Sequence, residues 1–429
     1  VSQTETYEAA GLPARAAALD LLIAALSRRA GLEEGLNHPA LASLSPRDRA
    51  FARALVLATL RRLGPIDQAL QARVHKPPPD RVVQILRLGV AQLFVLNTPP
   101  HAGVSSAVDL AQASQQSRPF KGLVNAVLRG LTREPPDLSD PERLAPLWLF
   151  ARWSAAYGAP AARDIAAVIA AEPATDMSLK DPAQAATLAG PLEAEALPGG
   201  SLRTTLRGDV STWPGFVEGD WWVQDAAAAI PARLLKVRPG ETALDLCAAP
   251  GGKTLQLAAA GAQVTAVDKS APRLKRLAEN LARTGLSAEV VVGDAAGWRD
   301  GRSFDAVLLD APCSATGTFR RHPDVLWAAK PGDVASLAAI QSRLLDAAAG
   351  RVRSGGRLVY CVCSLEPEEG EAQIAAFLAR NPAFAIDPVE SGEAGSPAAS
   401  LTADGALRIL PHHQPGGLDG FYVARLRRG

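Results

Sequence analysis

The groups able to do chemistry are concentrated in the C-terminal half of this 429-residue chain. Its four cysteines, Cys247, Cys313, Cys361 and Cys363, all lie there. Three aspartates, Asp268, Asp294 and Asp310, fall at or just beyond the ends of successive strand-like apolar runs. One aspartate in such a place is an ordinary turn or helix cap, but three in succession suit a ligand. Lys253 closes a loop, Cys247, Ala248, Ala249, Pro250, Gly251 and Gly252, that follows an apolar run and precedes a helical pattern. Glycines there let backbone approach a ligand closely, and a helix start offers unpaired N–H groups to an anionic group.

The loop fits neither common phosphate fingerprint. A P-loop needs glycine where Cys247 stands, and Ala-Pro-Gly-Gly-Lys-Thr lacks the G-x-G-x-x-G of a dinucleotide site. Asp268, 23 residues after Asp245, has the spacing of a carboxylate that accepts hydrogen bonds from a ribose. For the cysteines, zinc needs four ligands, whereas Cys361 and Cys363 have no second spaced pair and His412-His413 are adjacent and distant, so no metal is expected. Cysteines confined to one half do not make a secreted disulfide framework; reduced thiols in the cytoplasm are the expectation.

These residues require a doubly wound sheet to position them. From residue 237 strand and helix signals alternate, with strands expected at 242–247, 263–268, 288–292, 304–310 and 357–363, and a late hairpin of 407–410 with 421–426. Ahead of it, from 13 to about 132, apolar residues recur at helical spacing between proline and glycine breaks, giving an all-α bundle. Its arginines cluster as Arg28-Arg29, Arg47 with Arg49 and Arg53, and Arg61-Arg62, a candidate phosphate-binding face or simply a solvated one. A proline-rich linker at 134–141 ends the bundle. Beyond it come helices over 147–171, short strands at 176–180 and 201–206, a loop at 190–200, and the pair Trp221-Trp222, expected to pack rather than to stack RNA bases. The division expected is 1–135 all-α, 142–235 small α/β, and 236–429 Rossmann-like.

Two resemblances follow from these segments. Residues 45–70 (SPRDRAFARALVLATLRRLGPIDQAL), 99–112 and 121–131 resemble the RNA-binding antitermination factor NusB. The opening loop, LLDAPCSATGTFRRHPDVLW at 308–327 and VYCVCSLEPEEGE at 359–371 resemble the Sun family of RNA cytosine carbon-5 methyltransferases, which use S-adenosylmethionine. The likeness covers essentially the whole chain and points to the branch acting on ribosomal RNA.

Carbon 5 of cytosine is a poor nucleophile until another nucleophile adds to carbon 6, a task suited to a thiolate; the added group must later be expelled. The family pattern implies that Cys363 attacks and Cys313 assists release. Val362 stands where the family has threonine, and Cys361 is expected to be a small buried residue because the pattern selects the cysteine followed by serine. The resemblance further implies Asp310 on the cytosine N3, Lys253 supporting the site, residues 247–253 around the methionine portion, Asp268 on the ribose, Asp294 on the adenine, and Arg273 near the cofactor. Arg320, Arg321 and His322 are expected to meet RNA backbone. A Cys313–Cys363 disulfide would be inactivating rather than structural.

The formal charge of +1 allows RNA only through local patches. An N-terminus without a basic flank and apolar core, and no apolar run long enough for a bilayer, lead to the expectation of a soluble monomeric enzyme with no membrane partner. Transfer RNA as substrate, and an inert methyltransferase fold serving as an assembly or antitermination protein, are the alternatives. DNA enzymes do not require the second cysteine.

Overall fold

The computed structural model describes residues 11–27 and 39–429; the Arg28-Arg29 pair lies outside the described residues. The chain forms two compact units, Val1–Ala171 with Arg321–Ala329, and Glu172–Arg320 with Lys330–Gly429.

The first unit is helical: α1 (Leu12–Ser27), α2 (Pro46–Arg61), α3 (Leu63–Gln71), α4 (Asp80–Phe94), α5 (Pro100–Ala113), α6 (Lys121–Arg133), α7 (Leu147–Tyr157) and α8 (Ala159–Ala167). Ser45 starts α2, its Oγ accepting from the Asp48 N–H at 3.1 Å ahead of Pro46 at the first turn. Apolar stripes such as Val82, Ile85, Leu86 and Leu93 of α4 join Leu22, Leu55, Val104 and Leu128 in one core. Arg47, Arg49 and Arg53 are exposed on α2, whereas Arg61 is buried and donates to the Ile169 carbonyl at 3.1 Å, so among the described residues Arg61 does not join the others on an exposed face. A late segment completes this unit: Trp327 of α12 (Asp324–Ala328) packs on the core and its indole N–H donates to the Leu60 carbonyl at 3.0 Å.

The observed division falls at 171–172, not at the proline-rich stretch. Helices α7 and α8 bury Leu149, Trp153, Ala162 and Ile165 within the helical unit. Prolines there end a helix without ending a core.

The second unit holds two sheets. Strands β1 (Thr175–Leu179), β2 (Ala194–Ala196), β3 (Leu202–Thr204) and β4 (Trp221–Val223) form a small antiparallel sheet in the order β2-β3-β1-β4. The loop expected at 190–200 contains β2, whose Ala-Glu-Ala has no β-branched or aromatic residue to signal a strand. Adjacent strand residues point to opposite faces, and this separates the two tryptophans. Trp221 lies in the small sheet's core with Met177, Leu202 and Trp213, and Trp222 lies against Ala248, Ala249, Leu255 and Leu277.

The large sheet contains β5 (Thr242–Leu246), β6 (Gln263–Asp268), β7 (Glu289–Val292), β8 (Phe304–Asp310), β9 (Val352–Val362), β10 (Phe384–Ile386), β11 (Leu407–Ile409) and β12 (Phe421–Arg428). Its order is β10-β12-β9-β8-β5-β6-β7, with β11 on β12; β5 to β9 run parallel and the β12 pairings are antiparallel. From β5 the chain winds outward through β6 and β7, then returns to β8 on the other side. That reversal opens a crevice beyond the carboxyl ends of β5 and β8, where ligands bind in such sheets. Helices α9 (Ala226–Leu234), α10 (Gly252–Ala259), α11 (Ala271–Thr284), α13 (Pro331–Ala349) and α14 (Glu371–Arg380) connect the unit's strands. No described helix is long and apolar enough to cross a membrane.

The loop after β8 is pinned through backbone. Gly317 N–H donates to the Cys363 carbonyl at 3.0 Å, and Gly420 N–H donates to the Gly317 carbonyl at 2.8 Å. A Cβ on Gly317 would lie 2.1 Å from the Gly420 oxygen. Gly317→Ala is therefore expected to destabilise the protein by about 1–3 kcal/mol, measured by urea unfolding; an unchanged midpoint would show that this crossing is not tight.

Candidate active site

Two thiols face each other. Cys313, on the loop after β8, and Cys363, one residue past β9, have their Sγ atoms 3.5 Å apart. The serine following each cysteine holds this approach. Ser314 Oγ and Ser364 Oγ both donate to Glu369 Oε2 at 2.5 Å, while Ser314 N–H at 2.9 Å and Gln341 Nε2 at 3.0 Å donate to Glu369 Oε1. Glu369 is fully buried, and four donors satisfy it. Tyr360 Oη donates to the Glu369 carbonyl at 2.6 Å, and Gln341 also reaches the Pro312 carbonyl at 3.0 Å. The hydrogen bond with Cys363, then burial, push the Cys313 pKa well above its ordinary value, so Cys313 keeps its proton at neutral pH.

A charged pair adjoins the thiols. Register places Asp310 opposite Cys361. Asp310 Oδ2 accepts from Lys253 Nζ at 2.7 Å, and Asp310 Oδ1 accepts from the Cys361 thiol at 3.4 Å. Burial alone pulls the Lys253 pKa down, but the Asp310 charge, the nearby thiols and the hydrogen bond reverse this, and the net shift is upward. Lys253 also lies 5.4 Å from the Phe421 ring centroid. Cys361 is fully buried, and burial followed by the Asp310 charge raises its pKa well above ordinary, which makes it a poor nucleophile.

Sharp backbone turns shape the loop after β5. Cys247 has φ 61° and Gly251 φ 108°; a Cβ on Gly251 would lie 2.3 Å from Leu277 Cδ1. Burial, with Asp310, Asp268 and Asp245 adding to it, pushes the Cys247 thiol up to about 12. Asp268 accepts from the Ala249 N–H at 3.1 Å and the Ser270 N–H at 2.8 Å, bracing the loop while leaving acceptor capacity on each oxygen. Arg273 donates to the Ala249 carbonyl, so it supports the loop. Asp294 is exposed beyond β7, its Oδ1 accepting from the Ala296 N–H at 3.2 Å. Beneath the loop Asp245 is fully buried; its Oδ2 accepts from Thr254 Oγ1 at 2.6 Å and its Oδ1 has no hydrogen-bond partner. Burial pushes its carboxyl up to about 7.

The expectation for Arg320 is corrected. Its side chain is 1% exposed, pairs with Asp225, and lies 4.0 Å from Asp176 and 3.9 Å from Asp419. Desolvation leaves a buried guanidinium dependent on such carboxylates, and this one is not available to RNA backbone. Arg321 and His322 are half-buried and belong to the segment that completes the helical unit. Glu369, Gln341, Asp245 and Phe421 went unrecognised in the sequence. Glu369 sits in the acidic run after Ser364, in which Glu368 is exposed and Glu366 and Glu369 are buried, and the run by itself does not single it out. Among the described residues, no group of three or more His, Cys, Asp or Glu could hold a metal ion.

Two outcomes follow. Glu369→Ala would remove the shared acceptor of four buried donors, leaving Gln341 with the Pro312 carbonyl and the two serine hydroxyls with each other at 3.1 Å, and is expected to cost about 3–5 kcal/mol in urea unfolding; a loss below about 1 kcal/mol would refute the bridging role. For Asp245, the folded-state pKa near 7 stands above the ordinary 3.8, so the folded state holds an extra proton between those values. Stability present at low pH is lost as pH rises through about 7. Asp245→Asn is expected to show a smaller fall in Tm from pH 5 to pH 8 than the unaltered protein, and an identical fall in both would refute this.

Residues 232–427 match the family described as 16S rRNA methyltransferase RsmB/F, and residues 12–133 match the NusB family. The chain is 40% identical over 410 residues to ribosomal RNA small subunit methyltransferase B of Sodalis glossinidius, covering 90% of this chain and 92% of that one. To its namesake in Pseudomonas syringae it is 38% identical over 441 residues, covering 96% of each. The crystal structure of PH0851 superposes with a TM-score of 0.80 at 25% identity, covering 97% of this chain and 99% of the other. With a NusB-family domain before this methyltransferase sheet and such identity along nearly its whole length, the chain belongs to the RsmB/F family of small-subunit ribosomal RNA methyltransferases.

Proposed function

We propose that this enzyme transfers a methyl group from S-adenosylmethionine to carbon 5 of a cytosine in small-subunit ribosomal RNA, through a covalent bond between Cys363 and the base. The observation that carries this reading is the pair of thiols 3.5 Å apart beside the Lys253–Asp310 pair. A second thiol this close to the attacking one is placed to assist expulsion of that sulfur from the adduct.

The residues around the first loop fit the cofactor. Gly251 admits close backbone approach, Asp268 keeps acceptor capacity for a ribose, and Asp294 stands exposed at the next strand end for an adenine amino group. Residues Cys247 to Lys253 would surround its methionine portion. When bound, S-adenosylmethionine supplies an electrophilic methyl group.

On the substrate side, Cys363 Sγ as thiolate forms a bond to carbon 6, and the electron pair of the 5,6 double bond becomes available at carbon 5. Asp310, held by Lys253, accepts a hydrogen bond from the protonated N3 and offsets the charge that the ring gains. After carbon 5 is methylated, a base removes its proton; the electrons re-form the 5,6 double bond and Cys363 leaves as thiolate. Cys313, in van der Waals reach of that sulfur, assists this expulsion. Capture of an unpaired cytosine gives the ring access to both thiols.

Two substitutions separate the steps. Cys363→Ala is expected to abolish transfer of tritiated methyl to small-subunit ribosomal RNA. Cys313→Ala is expected to form a protein–RNA adduct that survives denaturing gels. Normal turnover by the Cys313 variant would exclude it from release, and methylation of transfer RNA in preference to ribosomal RNA would reassign the substrate.

A further inference from the structure

Within the second unit, a cavity of about 210 Å³ opens between β1, the β2–β3 turn, and the C-terminal ends of α9 and α10. Its wall is unusual in charge. Lys180, Arg233 and Lys236 line it, and no aspartate or glutamate does. Lys236 is neutralised by Glu393 at 2.7 Å, whereas neither Arg233 nor Lys180 has a carboxylate partner among the described residues. Arg233 spends one nitrogen on Ser201, Nη2 donating to Oγ at 2.8 Å. Its Nη1 is buried without any hydrogen-bond partner, and so is the hydroxyl of Ser178 on the same wall.

Such a wall is costly for an unliganded protein. A half-buried guanidinium without a carboxylate, bonded only to the Ser201 hydroxyl, recovers little of its lost hydration, and burial pulls Arg233 down to about 10. Buried donors without partners are rare in folded proteins and call for a ligand or for water. Gly199 and Gly200 both have positive φ, and a Cβ on Gly199 would lie 2.5 Å from the Ala394 carbonyl oxygen and 2.8 Å from Arg233 Nη1, so the turn passes beside the guanidinium only as glycine. The cavity has room for several waters, or for one tetrahedral oxyanion with its shell. Two unpaired cations and two orphaned donors, with no acid, select an acceptor-only group of negative charge.

We propose that this cavity is a phosphate-binding site, separate from the thiol centre, in which Arg233, Lys180 and Ser178 hold one phosphate group. The same chemistry is offered by free phosphate and by a phosphodiester of an RNA strand.

Isothermal titration of inorganic phosphate into the full-length protein, with chloride at equal ionic strength as the reference, tests this. Saturable binding is expected, weakened at least about tenfold in Arg233→Met and also in Lys180→Met. Should Arg233→Met fail to fold, Ser178→Ala, which removes only a hydroxyl, is expected to weaken binding in the same direction. A parallel titration uses a short RNA oligonucleotide without terminal phosphates. Competition between it and phosphate, lost in the same variants, identifies the RNA backbone as the source, and phosphate binding without competition identifies a free phosphate. No saturable phosphate binding by the unaltered protein, or equal affinity in the folded variants, overturns the proposal and leaves the cavity to water.

Discussion

One carboxylate oxygen governs the geometry of the thiol centre. Glu369 Oε2 accepts from the serine after each cysteine, and so ties the loop following β8 to the end of β9 across the sheet. Each hydrogen bond to a charged group contributes about 1.5–3 kcal/mol net, enough together to hold loops that would otherwise relax apart. Neighbouring parallel strands already place Asp310 opposite Cys361. The sheet brings the two loops within reach, and Glu369 sets their separation.

The charged groups around the thiols divide the work by environment. Lys253 stays charged because Asp310 outweighs its burial, while Cys313, Cys361 and Cys247 are all pushed toward the protonated form. Four cysteines in one half of the chain therefore do not amount to four nucleophiles. Buried thiols near carboxylates are held neutral, which suits reserve and packing roles. Asp245 contributes differently, receiving Thr254 beneath the loop and so tying β5 to α10.

How much of this was legible in the sequence follows from the physics of each element. Strands of the large sheet announce themselves because they are buried on both faces, and 263–268 and 304–310 coincide with β6 and β8. The three-residue strands β2 and β10 carry too few residues for a periodic signal. Cys313, Cys363, Lys253 and Asp310 were recognisable from motif, and the structure brings them together. Arg320 was misread because an arginine beside another arginine and a histidine looks like a basic patch; its true partners, Asp176, Asp225 and Asp419, are dispersed along the chain. Glu369 was illegible for a related reason, since nothing local distinguishes it from exposed Glu368.

The helical unit is not finished where its own helices end. Trp327, supplied after β8, packs on its core and binds the Leu60 carbonyl. A ribosome making this chain from the N-terminus has completed α8 and the eight strands β1 to β8 before that indole emerges. The first unit to be synthesised is thus completed only after most of the second has been made, and it depends through synthesis on a segment that carries the chain onward from Cys313.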